Sequence, residues 1–196
     1  MPAITIPNGA VVLGPGTLYK APLATTIPVN TVVGSVFTDA WQAAWIPVGV
    51  TREGSQWSYQ PSTDTVEVAE YLDPLRIVTT GRQIGVSFDI AQVTLQNYRF
   101  GLNGGTVSTV SGAAATLLSR FSPPVNGAEI RTMIGWESDD STERIIFHQC
   151  FQTGQVSVAH RKGAANASIP VDFGVEQPAT GFPFDIYLAG TSRVGS

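Results

Sequence analysis

The sequence predicts an all-β protein, a sandwich or barrel of short antiparallel strands interrupted by a single short helix, and three observations lead there. Apolar and polar residues alternate along several runs: Ile84, Val86, Phe88 and Ile90 against Gly85, Ser87 and Asp89; Val171, Phe173 and Val175 against Asp172 and Gly174; Phe184, Ile186 and Leu188 against Asp185 and Tyr187. This is the period of a strand with one face buried and one face wet. The 196 residues include 20 glycines and 13 prolines but only 13% charged side chains, so turns are frequent and the surface is poor in charge. The strand rhythm breaks once, at about residues 94–102. There Leu95, Tyr98 and Leu102 line one side of a helix, Thr94 is placed to cap its first turn, and Asn103-Gly104-Gly105 is placed to end it.

Taken in order, residues 1–40 read as an extended N-terminal arm. They are rich in Pro, Thr and Gly, with short strand-like pieces such as Thr17 to Lys20 between the punctuation of Asn8-Gly9, Pro22 and Pro28. From residue 41 to 196 the signals fit one domain. Trp45 to Val50 is an apolar run. Trp57 and Tyr59 alternate with glutamine and serine, and Val66 and Val68 alternate with Thr65 and Glu67; Pro61-Ser62-Thr63-Asp64 between them predicts a hairpin turn or a longer loop. Past the helix, Thr106 to Ala115 is small and polar and suits an exposed connection. Strands are then expected at Ile130 to Trp136, Arg144 to Gln149, Gln155 to His160, Ile169 to Glu176 and Phe182 to Leu188.

Several function classes are disfavoured. The net charge of −4, with lysine only at Lys20 and Lys162, argues against a protein that grips phosphate backbones. Cys150 is the lone cysteine, so no intrachain disulfide framework is expected. Met1 to Gly14 lacks the basic start and long apolar run of a signal peptide, and no stretch is long enough to span a bilayer, so synthesis and folding in a cytosol are expected. Catalytic residues, metal ligands and cofactors are all expected to be absent. There is no G-x-S-x-G elbow, and Gly14-Pro15-Gly16 lacks the ending of a phosphate loop. His148 and Cys150, on one face of a strand, do not close a zinc site. Asp139, Asp140 and Glu143 match no calcium loop and read as a solvated hairpin tip.

A charge pattern is more informative than any motif. Between Glu53 and Leu75 stand five acids, Glu53, Asp64, Glu67, Glu70 and Asp73, and no basic residue. They form either an ordinary solvated face or an acidic lining whose field keeps DNA from sticking.

The order WIPVGVTREG (45–54), an aromatic strand, TDTVEVAEYLDPLR, then TTGRQIGVSFDIAQVTLQNYRFGLNGG resembles the major tail tube proteins of long-tailed, siphophage-type bacteriophages. The opening GPGTLYKAPLATTIP looks like the N-terminal arm of relatives infecting actinobacteria. The resemblance spans about residues 14 to 105 and implies a β-sandwich with the helix packed on its flank, covering apolar core and strand edges. It implies a virion structural protein, made in the host cytoplasm, that self-assembles into hexameric rings stacked as a tail tube. That tube is a passive channel for genome delivery, capped by initiator and terminator proteins and measured by a tape-measure protein, with double-stranded DNA passing unbound. By the same resemblance a long loop or hairpin at about residues 61–80 reaches neighbouring subunits. Asp64, Asp73, Leu75 and Arg76 are then interface candidates, and Glu67, Glu70 and Asp89 are channel-lining candidates. Arg52, Arg82 and Arg99 would go to interfaces or to the exterior. Leu18, Tyr19 and Ile27 of the arm would become buried when rings stack. Competing readings are a carbohydrate- or receptor-binding sandwich using Trp41, Trp45, Trp57 and Trp136 as stacking surfaces, or another phage structural protein such as a capsid decoration protein or tail terminator.

Overall fold

The computed structural model describes residues 14–67, 73, 75–111, 117–158 and 167–190. It is an all-β fold with one short helix. The strands are β1 (Gly16–Pro22), β2 (Val32–Val33), β3 (Val36–Phe37), β4 (Ile46–Pro47), β5 (Thr51–Val66) and β6 (Arg76–Ile90). After the helix α1 (Leu95–Gly101) come β7 (Thr106–Ser111), β8 (Leu117–Ser122), β9 (Thr132–Ser138), β10 (Glu143–Gln152), β11 (Ile169–Val175) and β12 (Phe184–Leu188).

One sheet folds over itself to make two layers. Its order is β4-β1-β9-β10-β11-β6-β5, every neighbouring pair antiparallel. The hinge is β10: Glu143 to Phe147 pairs with β12, while Cys150 to Gln152 pairs with β11 on the second layer. Leu18, Ile134, Ile145 and Phe147 from the first layer meet Ile84, Val86, Phe88, Val171 and Phe173 from the second. The alternation in β6 and β11 is thus the signature of strands with one face in this core.

Six sequence expectations need correction. No turn forms at Pro61: β5 runs for 16 residues straight through it, which an edge strand tolerates because proline's missing N–H need not face a partner. The apolar run Trp45 to Val50 yields only the two-residue β4; Trp45 and Val48 are buried as core rather than paired as strand. In the polar stretch after the helix, Thr106–Ser111 is not a connection but β7, paired antiparallel with β8, and residues 112–115 lie outside the described residues. Residues 155–158 form no strand, and His160 lies outside the described residues. His148 and Cys150 do not share a surface, because a register shift between Phe147 and Cys150 turns both of those inward; Cys150 is fully buried while His148 faces Asp185 at 2.9 Å.

The helix is the last correction. Thr94 does cap it, its hydroxyl accepting the Asn97 N–H, and Gly104 N–H closes the C-terminus on Arg99 O at 2.8 Å. Its fully buried residues, however, are Asn97, Phe100 and Gly101, while of the expected stripe Leu95, Tyr98 and Leu102 are half-buried and Tyr98 packs against the core. Phe100 packs on Phe173 with ring centres 4.8 Å apart, and Asn97 donates to Gln92 O and Val48 O, so burying this amide strands no polar atom.

Residues 23–48 cross the outer face of the first layer. Trp41 stacks on Tyr19 at 4.3 Å and meets Trp45 edge-on at 4.9 Å, over a small second core of Ala21, Trp45, Met133 and Ile146. Beneath this cover lies Arg144, only 1% exposed, which donates to Asn30 Oδ1, Asp39 O and Glu137 Oε1.

Candidate functional site

The candidate site is a surface with two parts, both built by β5 and β6. The first is the outer face of the second layer. Residues paired across antiparallel strands share a face, so the partners of the core-facing positions leave Gln56, Ser58 and Gln60 of β5 beside Gln83, Gly85, Ser87 and Asp89 of β6. On the other side of β6, Pro170, Asp172 and Gly174 of β11 complete the row. None of these side chains is bulky and apolar, and none is basic. Glu53, Asp89 and Asp172 all line one shallow groove on this face. Gly85 keeps the face flat, since a Cβ there would sit 3.1 Å from Ser58 Oγ. Arg82 points to the opposite face, 3.4 Å from Gln177 Oε1, and Arg52 sits in the irregular stretch of β5 beside Glu53 at 3.8 Å.

The second part is the distal half of the β5–β6 hairpin. From Tyr59 to Val66 and from Arg76 to Gln83 every residue is exposed, so the ribbon leaves the core behind. At about 3.3 Å per residue it projects on the order of 20 Å. Val66, Leu75, Ile77 and Val78 are exposed along it, Leu75 by 62% and Ile77 by 65%. A two-stranded ribbon carrying bare apolar side chains has little stability alone.

Of the residues expected to matter, Asp64, Glu67, Asp73, Leu75 and Arg76 are brought together at the hairpin's far end, where Arg76 pairs with Val66 and Asp64 with Val78. Asp89 is at the opposite end of β6, about 40 Å away along the strand, so Glu67 and Asp89 do not share a local surface. Glu70 lies outside the described residues. Leu18, 3% exposed, belongs to the main core, and Tyr19 and Ile27 pack against the second. Their cover comes from this chain's residues 23–48 and its second layer, so they are not bare before assembly. Of the tryptophans, Trp45 is buried, Trp41 and Trp136 are half-buried against core, and Trp57 leans on Phe184 at 5.7 Å, so the four make no common stacking platform.

Sequence reasoning passed over Asp172, Gln56, Ser58 and Gln83. The signal was present in the alternation of β11, where Asp172 had to face away from Val171 and Phe173, but which strand it would lie beside is a matter of long-range pairing.

Among the described residues no cluster of three metal-ligating side chains occurs. No helix among them is long and apolar enough to cross a membrane. Compared with known families, residues 5–181 match the family model described as phage tail tube protein. No curated protein matches the chain significantly.

Proposed function

This chain belongs to the phage tail tube protein family, structural proteins of the virion tail, and from that premise we propose that it assembles into hexameric rings that stack into the tail tube of a long-tailed phage. The protein is made in the host cytoplasm and built onto a tail initiator, with tube length set by a tape-measure protein and growth closed by a terminator. The tube is a passive conduit for genome delivery: it performs no chemistry, and double-stranded DNA passes through it without specific binding.

The observation that carries this reading is the flat polar face of β5, β6 and β11. DNA moving through a tube must not be held by its wall. Glutamine, serine and glycine offer phosphates no charge, and Asp89 and Asp172 repel them. We place this face on the lumen, with Asp89 lining the channel. The projecting hairpin supplies the contacts between copies: Asp64, Glu67, Asp73, Leu75 and Arg76 are exposed on it, and Glu70 falls in the same stretch of sequence. Glu67 is therefore assigned to an interface in preference to the channel wall.

Negative-stain microscopy of the purified full chain tests the proposal. Rings with an axial hole, or hollow tubes of open-ended length, are expected at high concentration or in the presence of a tail initiator. A solution that stays monomeric under both conditions, or that forms only solid or closed particles, contradicts it.

A further inference from the structure

An apolar groove of about 600 Å³ lies between α1, β1 and the start of β9, away from the polar face. Leu23, Ile46 and Ile130 line it as exposed side chains, with Phe100 at its base. Two cations, Lys20 and Arg99, stand at its rim. Lys20 Nζ sits 4.7 Å above the Phe100 ring and donates to Asn97 Oδ1 at 3.1 Å. Among the described residues neither Lys20 nor Arg99 forms an ion pair with a carboxylate. Burial, and then the charge of Arg99, lower the Lys20 pKa to about 8, as befits a half-buried ammonium lacking an anion. Of the other charged residues at the groove, Arg131 pairs with Glu176 at 2.6 Å, and the Glu129 carboxylate accepts the Gly127 N–H at 2.8 Å.

We infer that this groove is the seat for the β5–β6 hairpin tip of a second copy of the chain, whose Leu75 and Ile77 enter the apolar trough while its acids reach Lys20 and Arg99. The inference rests on the tail-tube reading for taking a second copy as neighbour. Complementarity selects the occupant. Asp64 pairs with Val78 on the ribbon face opposite Ile77, so the acids that accompany Leu75 are Glu67 and Asp73, with one base, Arg76, and the sequence from 67 to 75 reads EVAEYLDPL, acids interleaved with apolar residues. The groove offers the converse, apolar walls beneath two cations without carboxylate partners. The tip's Leu75 and Ile77 are exposed in the single chain, so they are not seated in their own groove. Residues 1–13, which lie outside the described residues, read MPAITIPNGAVVL and contain no acid to answer the cations. One tip and one groove per copy make a heterologous contact that passes from copy to copy, closing a ring or joining rings.

Cysteine bridging tests the pairing, because Cys150 is fully buried and silent. In the full chain, Leu75→Cys with Ile130→Cys, treated with oxidised glutathione after assembly, is expected to give disulfide-linked dimers and higher multimers, and each single variant monomers. Arg99→Glu raises the concentration needed for assembly on the order of tenfold or more, and adding Asp73→Arg restores it. The inference is overturned by an internally bridged monomer, by assembled double variant that stays unlinked, by wild-type assembly of Arg99→Glu, or by linkage of Ile6→Cys with Ile130→Cys in its place. Hollow tubes without the Leu75–Ile130 bridge overturn the groove and leave the tail-tube reading standing. Bridged dimers from a chain that never forms rings or tubes do the reverse, and neither product overturns both.

Discussion

Asp89 on β6 and Asp172 on β11 stand on one face of adjacent strands, two positions out of register, because Asp89 pairs with Pro170 and Asp172 with Ser87. Like charges so placed repel each other only weakly at a solvated surface, and together they repel phosphate. Replacing both by lysine inverts the face without touching the core. The double variant Asp89→Lys, Asp172→Lys is expected to bind short duplex DNA at low salt and to release it steeply between about 50 and 200 mM salt, while the wild type binds at neither. Fluorescence anisotropy reads this directly, and tight binding by the wild type would remove the argument for a non-stick wall.

The distal hairpin lies outside the core, so shortening it should separate folding from assembly. Replacing residues 63–80 by Asn-Gly, which joins the paired Ser62 and Gly81 through a two-residue hairpin turn, leaves every buried position of β6 in place, since those begin at Ile84. The thermal midpoint is expected to stay within a few degrees of the wild type, with rings and tubes absent by microscopy. A large loss of stability would show that the ribbon is held by its own chain.

Arg144 carries the opposite expectation. Its Nε lies 3.1 Å from Glu137 Oε2 without the alignment for a hydrogen bond, and its guanidinium lies over the rings of Phe37 and Trp41. Arg144→Met leaves Glu137 beneath the cover with its charge uncompensated, retaining among the described residues the Trp41 Nε1–H donor. Removing one partner of such a buried pair costs about 3–5 kcal/mol, measurable as a fall in the urea midpoint at unchanged m. A change under 1 kcal/mol would mean that water reaches the site freely.

Lys20 links stability to pH. Folding lowers its pKa from 10.5 to about 8, burial being the main cause and Arg99 the second. Between those values the folded chain binds fewer protons than the unfolded one, so stability rises with pH across that window; below pH 8 both states are protonated and the gain is absent. Tyr19 and Tyr187 are raised, chiefly by burial, and oppose this at higher pH, so the difference between wild type and Lys20→Met isolates Lys20. Urea midpoints from pH 7 to 9.5 should climb relative to the variant. Parallel curves would show an ordinary lysine.

How much of this was legible in the sequence depends on whether a residue's fate is set locally. The alternation of β6 and β11, and the cap and stop of α1, depend on near neighbours and were readable. β5 was not, because an edge strand that runs out into solvent has no buried face to impose a period, and Pro61 imitates a turn. β1 is paired with β9 more than a hundred positions away, as Leu18 with Trp136, so Gly16–Pro22 of the expected arm is an inner strand. Arg144 is a charge inside a strand, and only the fold brings Glu137 and Asp39 to it. That Asn97 is buried on α1 was not legible because, polar by type, it is satisfied by Val48 and Gln92 carbonyls that a local reading does not bring to it. For the candidate site, the acid-rich run was visible, but its division between a hairpin tip and a distant polar face required the register of β5 on β6.

The central claim is tested most directly by a cryo-EM map of the tube assembled from this chain. The account predicts Asp89 and Asp172 on the wall of an axial channel, with the β5–β6 hairpin buried between copies. A map with that face on the outside of the tube and the hairpin free in solvent would contradict it.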